Sequence, residues 1–523
     1  MNIHTVGELR ASGYRVRSVK DEMRENLLAK IARRETTFPG IHGYERTVIP
    51  AIHNAILSRH DIILLGLRGQ AKTRILRSLT ALLDERIPVI EGCEINDWPF
   101  EPSCKRCRRL AAEKGDELPV AWMHRDERYR EKLATPDVTV ADLVGDIDPI
   151  KAANQRLTYA DEEVIHYGII PRTNRGIFAI NELPDLAPRI QVALLNILEE
   201  RDLQIRGFPV RIPMDIVLVF SANPEDYTSR GNIITPLKDR IDSQILTHYP
   251  QSVDTAMHIT TQEAWLDRAN KAKIDIPDYV RSLVEQIAFV ARESELVDQS
   301  SGVSARLTIA AMELLQSNLE RRAAMTGDTY VFPRLADLAM LLPAITGKVE
   351  MVYEGEQQGA EVVARKLIGQ AVGKLFESKF PPVERAGTGA RERRYDVDTD
   401  DLDDAFAGRR ARKSAPPPRE EQRPAPKSDP AYDAILAWFV EGNKVVLSDE
   451  QPFAEYFREL QRVPRLAETA QKHVQLRSDQ ELAFWMEMIL EGLHQALRLA
   501  REDLDSTITF AELMKFNVLR TVK

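Results

Sequence analysis

The chain has 523 residues, with 71 Lys and Arg against 80 Asp and Glu, a net charge of −9 and a pI near 5.8. That balance argues against a dedicated nucleic-acid binder, which carries a basic domain or stripe, and the length leaves room for several domains. No apolar run approaches the roughly 20 residues that span a bilayer, and the chain contains three clustered cysteines, Cys93, Cys104 and Cys107, rather than an even disulfide framework.

Met1 to Arg15 lacks the apolar core and cleavage site of a secretory signal, so a cytoplasmic location is expected. Residues 1–35 read as a charged, helical lead-in. After the turn-rich Phe38–Gly43, residues 45–59 carry helical apolar spacing (Val48, Ile49, Ile52, Ala55, Ile56), and His60-Asp61 ends that helix. Ile62–Leu65 is a short all-apolar run, the pattern of a strand buried on both faces of a parallel sheet. Pro88–Glu91, Gly176–Ile180 and Ile216–Ser221 are three further runs of this kind, alternating with helical stretches such as Thr73–Leu83 and Arg189–Glu200. The alternation predicts an α/β core over residues 36–250 with a parallel sheet.

Strand signals fade after residue 250, and residues 251–382 read as a helical lid. Residues 383–430, with the acidic Asp396–Asp404 and the Pro-rich Ser414–Pro430, are expected to be a disordered linker, because such a composition cannot bury a core. Residues 431–523 are amphipathic and aromatic, and are expected to form a separate C-terminal helical domain.

Three strand ends carry chemistry. Gly66-Leu67-Arg68-Gly69-Gln70-Ala71-Lys72-Thr73 follows the first strand and opens a helix, as a phosphate-binding P-loop does. The backbone N–H groups from Gly66 to Arg74 would face the phosphates of ATP, Lys72 would reach the β- and γ-phosphates, and the Thr73 hydroxyl would ligate Mg²⁺. Ala71 stands where the second glycine is usual, which is acceptable provided that the position does not need a positive φ. The second strand end is Asn181-Glu182. P-loop ATPases usually have Asp-Glu here, so Asn181 offers Mg²⁺ an amide oxygen without charge, while Glu182 is the expected general base. The third ends in Asn223, placed to bind the attacking water or the γ-phosphate. Arg240, in Pro236–Arg240, is expected to act as an arginine finger toward a neighbouring subunit, and Arg306, in Ser304-Ala305-Arg306, to contact the same phosphate. Taken singly, Arg240 reads more readily as a member of a surface salt bridge and Arg306 as a solvated arginine, and it is their order along the chain that strengthens both. A fourth feature stands apart: Cys104-Lys105-Arg106-Cys107, with Cys93 upstream and His124 downstream, is a candidate zinc site of three thiolates and one imidazole.

These residues in this order resemble the AAA+ ATPases of the magnesium-chelatase I-subunit and MoxR group. The likeness begins at Phe38–Glu45, similar to the motif that opens the family's ATPase domain, and continues through the Ala-Lys-Thr of the P-loop. Asp142–Asp148 resembles the family's segment before an inserted hairpin, Tyr167–Gly176 its run into the second motif, and Leu203–Ile212 the hairpin inserted before the first sensor. The resemblance covers about residues 36–320. It implies an ATPase core with a helical lid, ATP at the cleft between them, hexameric rings with ATP at subunit interfaces, and remodelling of a partner that carries a von Willebrand A domain. The alternatives are a chelatase motor proper, a transcriptional activator ATPase and a non-hydrolysing ATP-binding scaffold. The activator reading lacks its Gly-Ala-Phe-Thr-Gly-Ala loop, and the scaffold reading is motivated by Asn181.

Overall fold

A computed structural model describes residues 3–155, 161–205, 211–224, 232–269, 272–383, 428–504 and 507–513. They fall into two compact units: residues 1–263 with 297–306 and 348–350, and residues 264–296 with 307–347 and 351–523. Most of the expected linker (residues 384–427) and the tip of the expected 203–212 hairpin (residues 206–210) lie outside the described residues.

The first unit contains β1 (Ile62–Leu65), β2 (Arg86–Ile90), β3 (Val120–His124), β4 (Tyr129–Leu133), β5 (Gly145–Ile147), β6 (Ile165–Tyr167), β7 (Gly176–Asn181), β8 (Asp202–Gln204), β9 (Arg211–Pro213), β10 (Ile216–Ala222) and β11 (Ser243–Leu246). Five of them form one parallel sheet in the order β11-β1-β10-β7-β4. The central strands are unbroken apolar runs because both faces are covered. Ile63, Phe178, Ile180, Leu218 and Phe220 point into one core, and Ile62, Leu64, Ile177, Ala179, Val217 and Val219 into the other. The second core is shared with Val19, Met23 and Leu27 of the lead-in helix Val19–Ala32 and with Val48, Ile52 and Ile56 of the helix Val48–Leu57.

The structure corrects the sheet membership expected of Pro88–Glu91. β2 pairs antiparallel with β3, outside the parallel sheet. The outermost strand is instead β4, Tyr-Arg-Glu-Lys-Leu, which pairs with β7 alone. An edge strand needs no continuous apolar run, so three consecutive charged residues hid it. The helix expected over Arg189–Glu200 is divided into Pro188–Ala193 and Leu195–Glu199.

Two buried ion-pair networks fasten the lead-in helix to the sheet. Asp61, fully buried at the start of β1, accepts hydrogen bonds from the Leu218 N–H (2.9 Å) and from Arg201 (2.6 Å), and pairs with Lys20 (3.1 Å). Glu22 receives both terminal nitrogens of Arg128, at 2.7 and 2.6 Å.

The second unit has its long helices at Asp278–Glu293, Ala360–Lys379 and Asp479–Gln495, together with most of Arg306–Thr326. β12 (Lys273–Ile274) and β13 (Tyr330–Val331) form a short parallel pair. β14 (Val445–Ser448), β15 (Ala500–Leu504) and β16 (Thr507–Ala511) form an antiparallel sheet in the order β14-β16-β15, beside the helices expected in the C-terminal region.

The Asp479–Gln495 helix buries nearly every side chain, including Glu487, which is 1 % exposed. One carboxylate oxygen of Glu487 accepts from Tyr456 (2.5 Å) and the Leu335 N–H (2.7 Å), while the other has no hydrogen-bond partner. Burial pushes the carboxyl up from 4.5 to about 7, against the hydrogen bond from Tyr456, which favours the charged form. The folded state therefore keeps a proton that the unfolded chain releases near 4.5, and stability falls as pH rises from about 4.5 to about 7. Glu487→Gln should flatten that slope and melt higher than the parent at pH 8; thermal unfolding from pH 5 to pH 8 measures it.

Candidate active site

β1 and β7 both flank β10, so the three motif-bearing strand ends lie side by side at the carboxyl edge of the sheet. This is where open parallel sheets bind ligands. The Gly66 N–H donates to the Ala222 carbonyl (3.1 Å), fixing the start of the P-loop against β10. Ser221 joins β10 to β7: its hydroxyl donates to Asn181 Oδ1 (3.1 Å) and accepts from the Glu182 N–H (3.4 Å). Asn181 and Asn223 are buried, and Glu182 is half-buried. Ser221 was legible in the sequence only as one more strand residue; its bridging role depends on strand order.

The loop is shaped by close packing. A Cβ on Gly66 would lie 1.9 Å from Thr247 Oγ1, and one on Gly69 (φ +74°) would lie 2.1 Å from Ser304 Oγ and 2.9 Å from the Ala305 nitrogen. The Ser304–Arg306 turn thus abuts the P-loop, with Arg306 exposed at the start of its helix and its N–H donating to Ser304 Oγ (3.1 Å). Ala71, at the cap of the helix Lys72–Ser78, has φ +57°. The expectation that this position needs no positive φ is therefore corrected: Ala71 sits in the left-handed region where glycine is favoured, at a cost of about 1 kcal/mol. Lys72 is buried, and its ammonium donates to the carbonyls of Gly66 and Leu67 (3.1 Å in the second case). Thr73 is half-buried beside it.

Polar side chains hold the rest of the loop. Thr247 donates to Gln70 Oε1 (2.6 Å), and Tyr44 donates to the carbonyls of Gln70 (3.0 Å) and His248 (2.7 Å). Burial pushes the Tyr44 hydroxyl up to about 12, so it remains a donor. Tyr249 donates to the Arg68 carbonyl (2.8 Å), while the Arg68 guanidinium pairs with Glu350 and that of Arg74 with Glu263. A groove lined by Ile41, Gly43, Tyr44, Ala71, Arg74, His248 and Ala305 opens next to the loop. Arg240 is engaged elsewhere: its Nε donates to Glu199 (2.7 Å) and its Nη1 to the Pro236 carbonyl (3.0 Å).

The cysteines assemble, but with a different fourth group. Cys93, Asp97, Cys104 and Cys107 bring one donor atom each to within 4.8 Å of one another. His124 is not in the set: it caps the Arg125–Arg128 turn, where Nδ1 accepts from the Asp126 N–H (3.3 Å) and faces the Asp126 carboxylate (3.2 Å). Asp97 escapes a reading of the sequence, since a lone acidic residue between cysteines carries no spacing signal. Hydrogen bonds from Cys104 and Cys107 hold the Cys93 thiol below the usual thiol range.

Residues 120–241 match the family model described as AAA domain (dynein-related subfamily). No curated protein matches the chain. Similar solved structures include NtrX from Brucella abortus, at 13% identity over 56% of each chain with a TM-score of 0.32. The complex between subunits BchI and BchD of magnesium chelatase, based on a single-particle cryo-EM reconstruction, aligns at 19% identity over 66% of this chain and 97% of that one, with a TM-score of 0.30. Hsp104, reconstructed in its closed state with ATPγS and casein, aligns at 13% identity over 61% of this chain and 51% of that one, with a TM-score of 0.36. The chain spans about half the length of the NtrX and Hsp104 chains that it matches. Among the described residues no helix is long and apolar enough to cross a membrane. The family match covers β4, β7 and β10 of the parallel sheet, so this part of the chain is similar to an AAA domain of the dynein-related subfamily, and the P-loop at Gly66–Thr73 precedes the matched residues.

Proposed function

We propose that the chain is a cytoplasmic ATP-hydrolysing motor of the magnesium-chelatase and MoxR kind, working as a homo-oligomeric ring, hexameric by family resemblance, on a partner protein with a von Willebrand A domain. The observation that carries the reading is the Ser221 bridge. It ties Asn181, the last residue of β7, and Glu182 after it to the end of β10, just before Asn223, and β10 lies between β7 and the P-loop strand β1. A P-loop lysine, a strand-end carboxylate and a polar sensor on adjacent strands form the minimal set for phosphoryl transfer to water.

In this reading the loop amides from Gly66 to Arg74 bind the phosphates of ATP. Lys72 exchanges its carbonyl partners for phosphate oxygens. Thr73 and Asn181 fit a hydrated Mg²⁺, which when bound would neutralise charge on the phosphates. Glu182 takes the proton of the attacking water, and Asn223 orients that water. Arg306 reads the γ-phosphate from beside Gly69, and the apolar groove next to Tyr44 receives the base. Arg240 leaves Glu199 to act on ATP bound by a neighbouring subunit. A second reading, a non-hydrolysing scaffold, is favoured by Asn181, whose neutral oxygen already accepts from Ser221.

Steady-state ATP hydrolysis across a protein concentration series separates these readings, with Lys72→Ala as the control. Specific activity should rise with concentration, vanish in Lys72→Ala, and lose its concentration dependence in Arg240→Ala. Tight ATP binding with no turnover at any concentration would favour the scaffold.

A further inference from the structure

We propose that Cys93, Asp97, Cys104 and Cys107 bind one zinc ion in a closed, structural site. Their donor atoms lie within 4.8 Å of one another, the scale of a tetrahedral shell whose metal–ligand bonds are about 2.0–2.3 Å. Cys104 and Cys107 are buried and Cys93 is partly so, and all three thiols are unoxidised. Asp97 supplies the independent sign of a ligand. It is 1 % exposed, its Oδ2 accepts from the Cys104 N–H (2.9 Å), and its Oδ1 has no hydrogen-bond partner. A buried carboxylate oxygen without a partner is costly unless something positive completes it. Three sulfur donors select a soft or borderline ion over Mg²⁺ or Ca²⁺.

The surroundings prepare these groups for a metal. The Cys93 sulfur accepts from the Asp97 N–H (3.3 Å) and the Cys104 sulfur from the Cys107 N–H (3.4 Å), so backbone donors orient both sulfurs. The hydrogen bond to Cys104 fixes the orientation of the Asp97 carboxylate, as outer partners of metal ligands do. Four protein ligands leave no position for water, so the ion is structural rather than catalytic. It would pin the segment from Cys93 to Cys104, which lacks regular structure, onto the helix Lys105–Lys114. That segment also reaches the run leading into β7: Asn96 donates to the Arg172 carbonyl (2.9 Å) and Asn174 to the Ile95 carbonyl (3.0 Å).

The test begins with the full-length chain, equilibrated with stoichiometric zinc, freed of loose metal by gel filtration and analysed by plasma mass spectrometry. About one zinc per chain is expected, falling to near none in Cys107→Ser and remaining in His124→Ala. Thiol titration of the parent protein keeps the test decisive even where Cys107→Ser misfolds. All three cysteines should react after denaturation with chelator and without reductant, and should be protected in the native protein until chelator is added. Absence of zinc from the parent chain would overturn the site. So would a single reactive thiol in the denatured, unreduced protein, which means a disulfide, and so would loss of zinc in His124→Ala.

Discussion

Replacing Glu182 by Gln should leave ATP binding intact and lower turnover by about 10²–10⁴-fold, the usual contribution of a positioned general base. The substitution keeps the size and shape of the side chain and removes only its capacity to take a proton. The backbone of the site is unaffected, because the bond to Ser221 Oγ comes from the backbone N–H of residue 182, which glutamine keeps. Glu182 has φ +54° and ψ +50°, a conformation that costs a non-glycine residue about 1 kcal/mol. A strained residue at the end of a core strand, next to a buried Asn where charge is usual, is the kind of position that function retains against stability. With a neutral amide at Asn181, Glu182 is the carboxylate that this strand end offers to water. Turnover under saturating ATP, set beside equilibrium binding of a fluorescent nucleotide, separates the base role from a binding role. Undiminished hydrolysis in Glu182→Gln removes Glu182 from the chemistry; weakened binding with normal turnover at saturation makes it a positioning group.

The sequence made β1, β7 and β10 visible for the same reason that their ends form the candidate site. Strands in the middle of a parallel sheet are apolar on both faces, and they end abruptly in polar residues where the sheet meets solvent. β4 was invisible because an edge strand tolerates Arg130, Glu131 and Lys132 in succession. The C-terminal sheet was hidden because β14, β15 and β16 are only four or five residues long and lie among strongly periodic helices. Within the site, Lys72, Glu182 and Asn223 could be named from their places after strands. Ser221 could not, since its partners are set by which strands are neighbours. The left-handed φ of Ala71 was hidden because an alanine, unlike a glycine, carries no sequence signal for it. Asp97 was hidden for a related cause: carboxylates are common, and only burial distinguishes one that faces three thiols.

Removing the Glu22 carboxylate, as in Glu22→Ala, should destabilise the first unit by about 3–5 kcal/mol, the range for breaking a buried ion pair from one side. Arg128 is 1 % exposed and Glu22 is 3 % exposed, and the pair is bidentate. Glu22 also accepts from the Asp84 N–H (2.5 Å), and Arg128 Nε donates to the Arg175 carbonyl (2.8 Å), so the two charges are satisfied on all sides only while both are present. Without Glu22 the guanidinium stays buried beside Arg175, itself buried and pushed down to about 10 by desolvation. The double variant Glu22→Ala with Arg128→Met should recover much of the loss, because it removes the uncompensated charge rather than leaving it in place. The exposed pair Arg10 and Asp116 is the internal control: breaking it should change stability by no more than about 0.5 kcal/mol. Chemical denaturation of Glu22→Ala, Arg128→Met and the double variant beside the parent gives the cycle, with the broken Arg10–Asp116 pair as the control. Equal, small losses in all of them would mean that the lead-in helix is held by its apolar face alone. A large loss confined to the two single variants would make the pair a condition for keeping that helix on the sheet. Arg128 immediately precedes β4, whose Tyr129 pairs with Ile177 of β7, so the pair also supports the strand that ends at Asn181, next to Glu182.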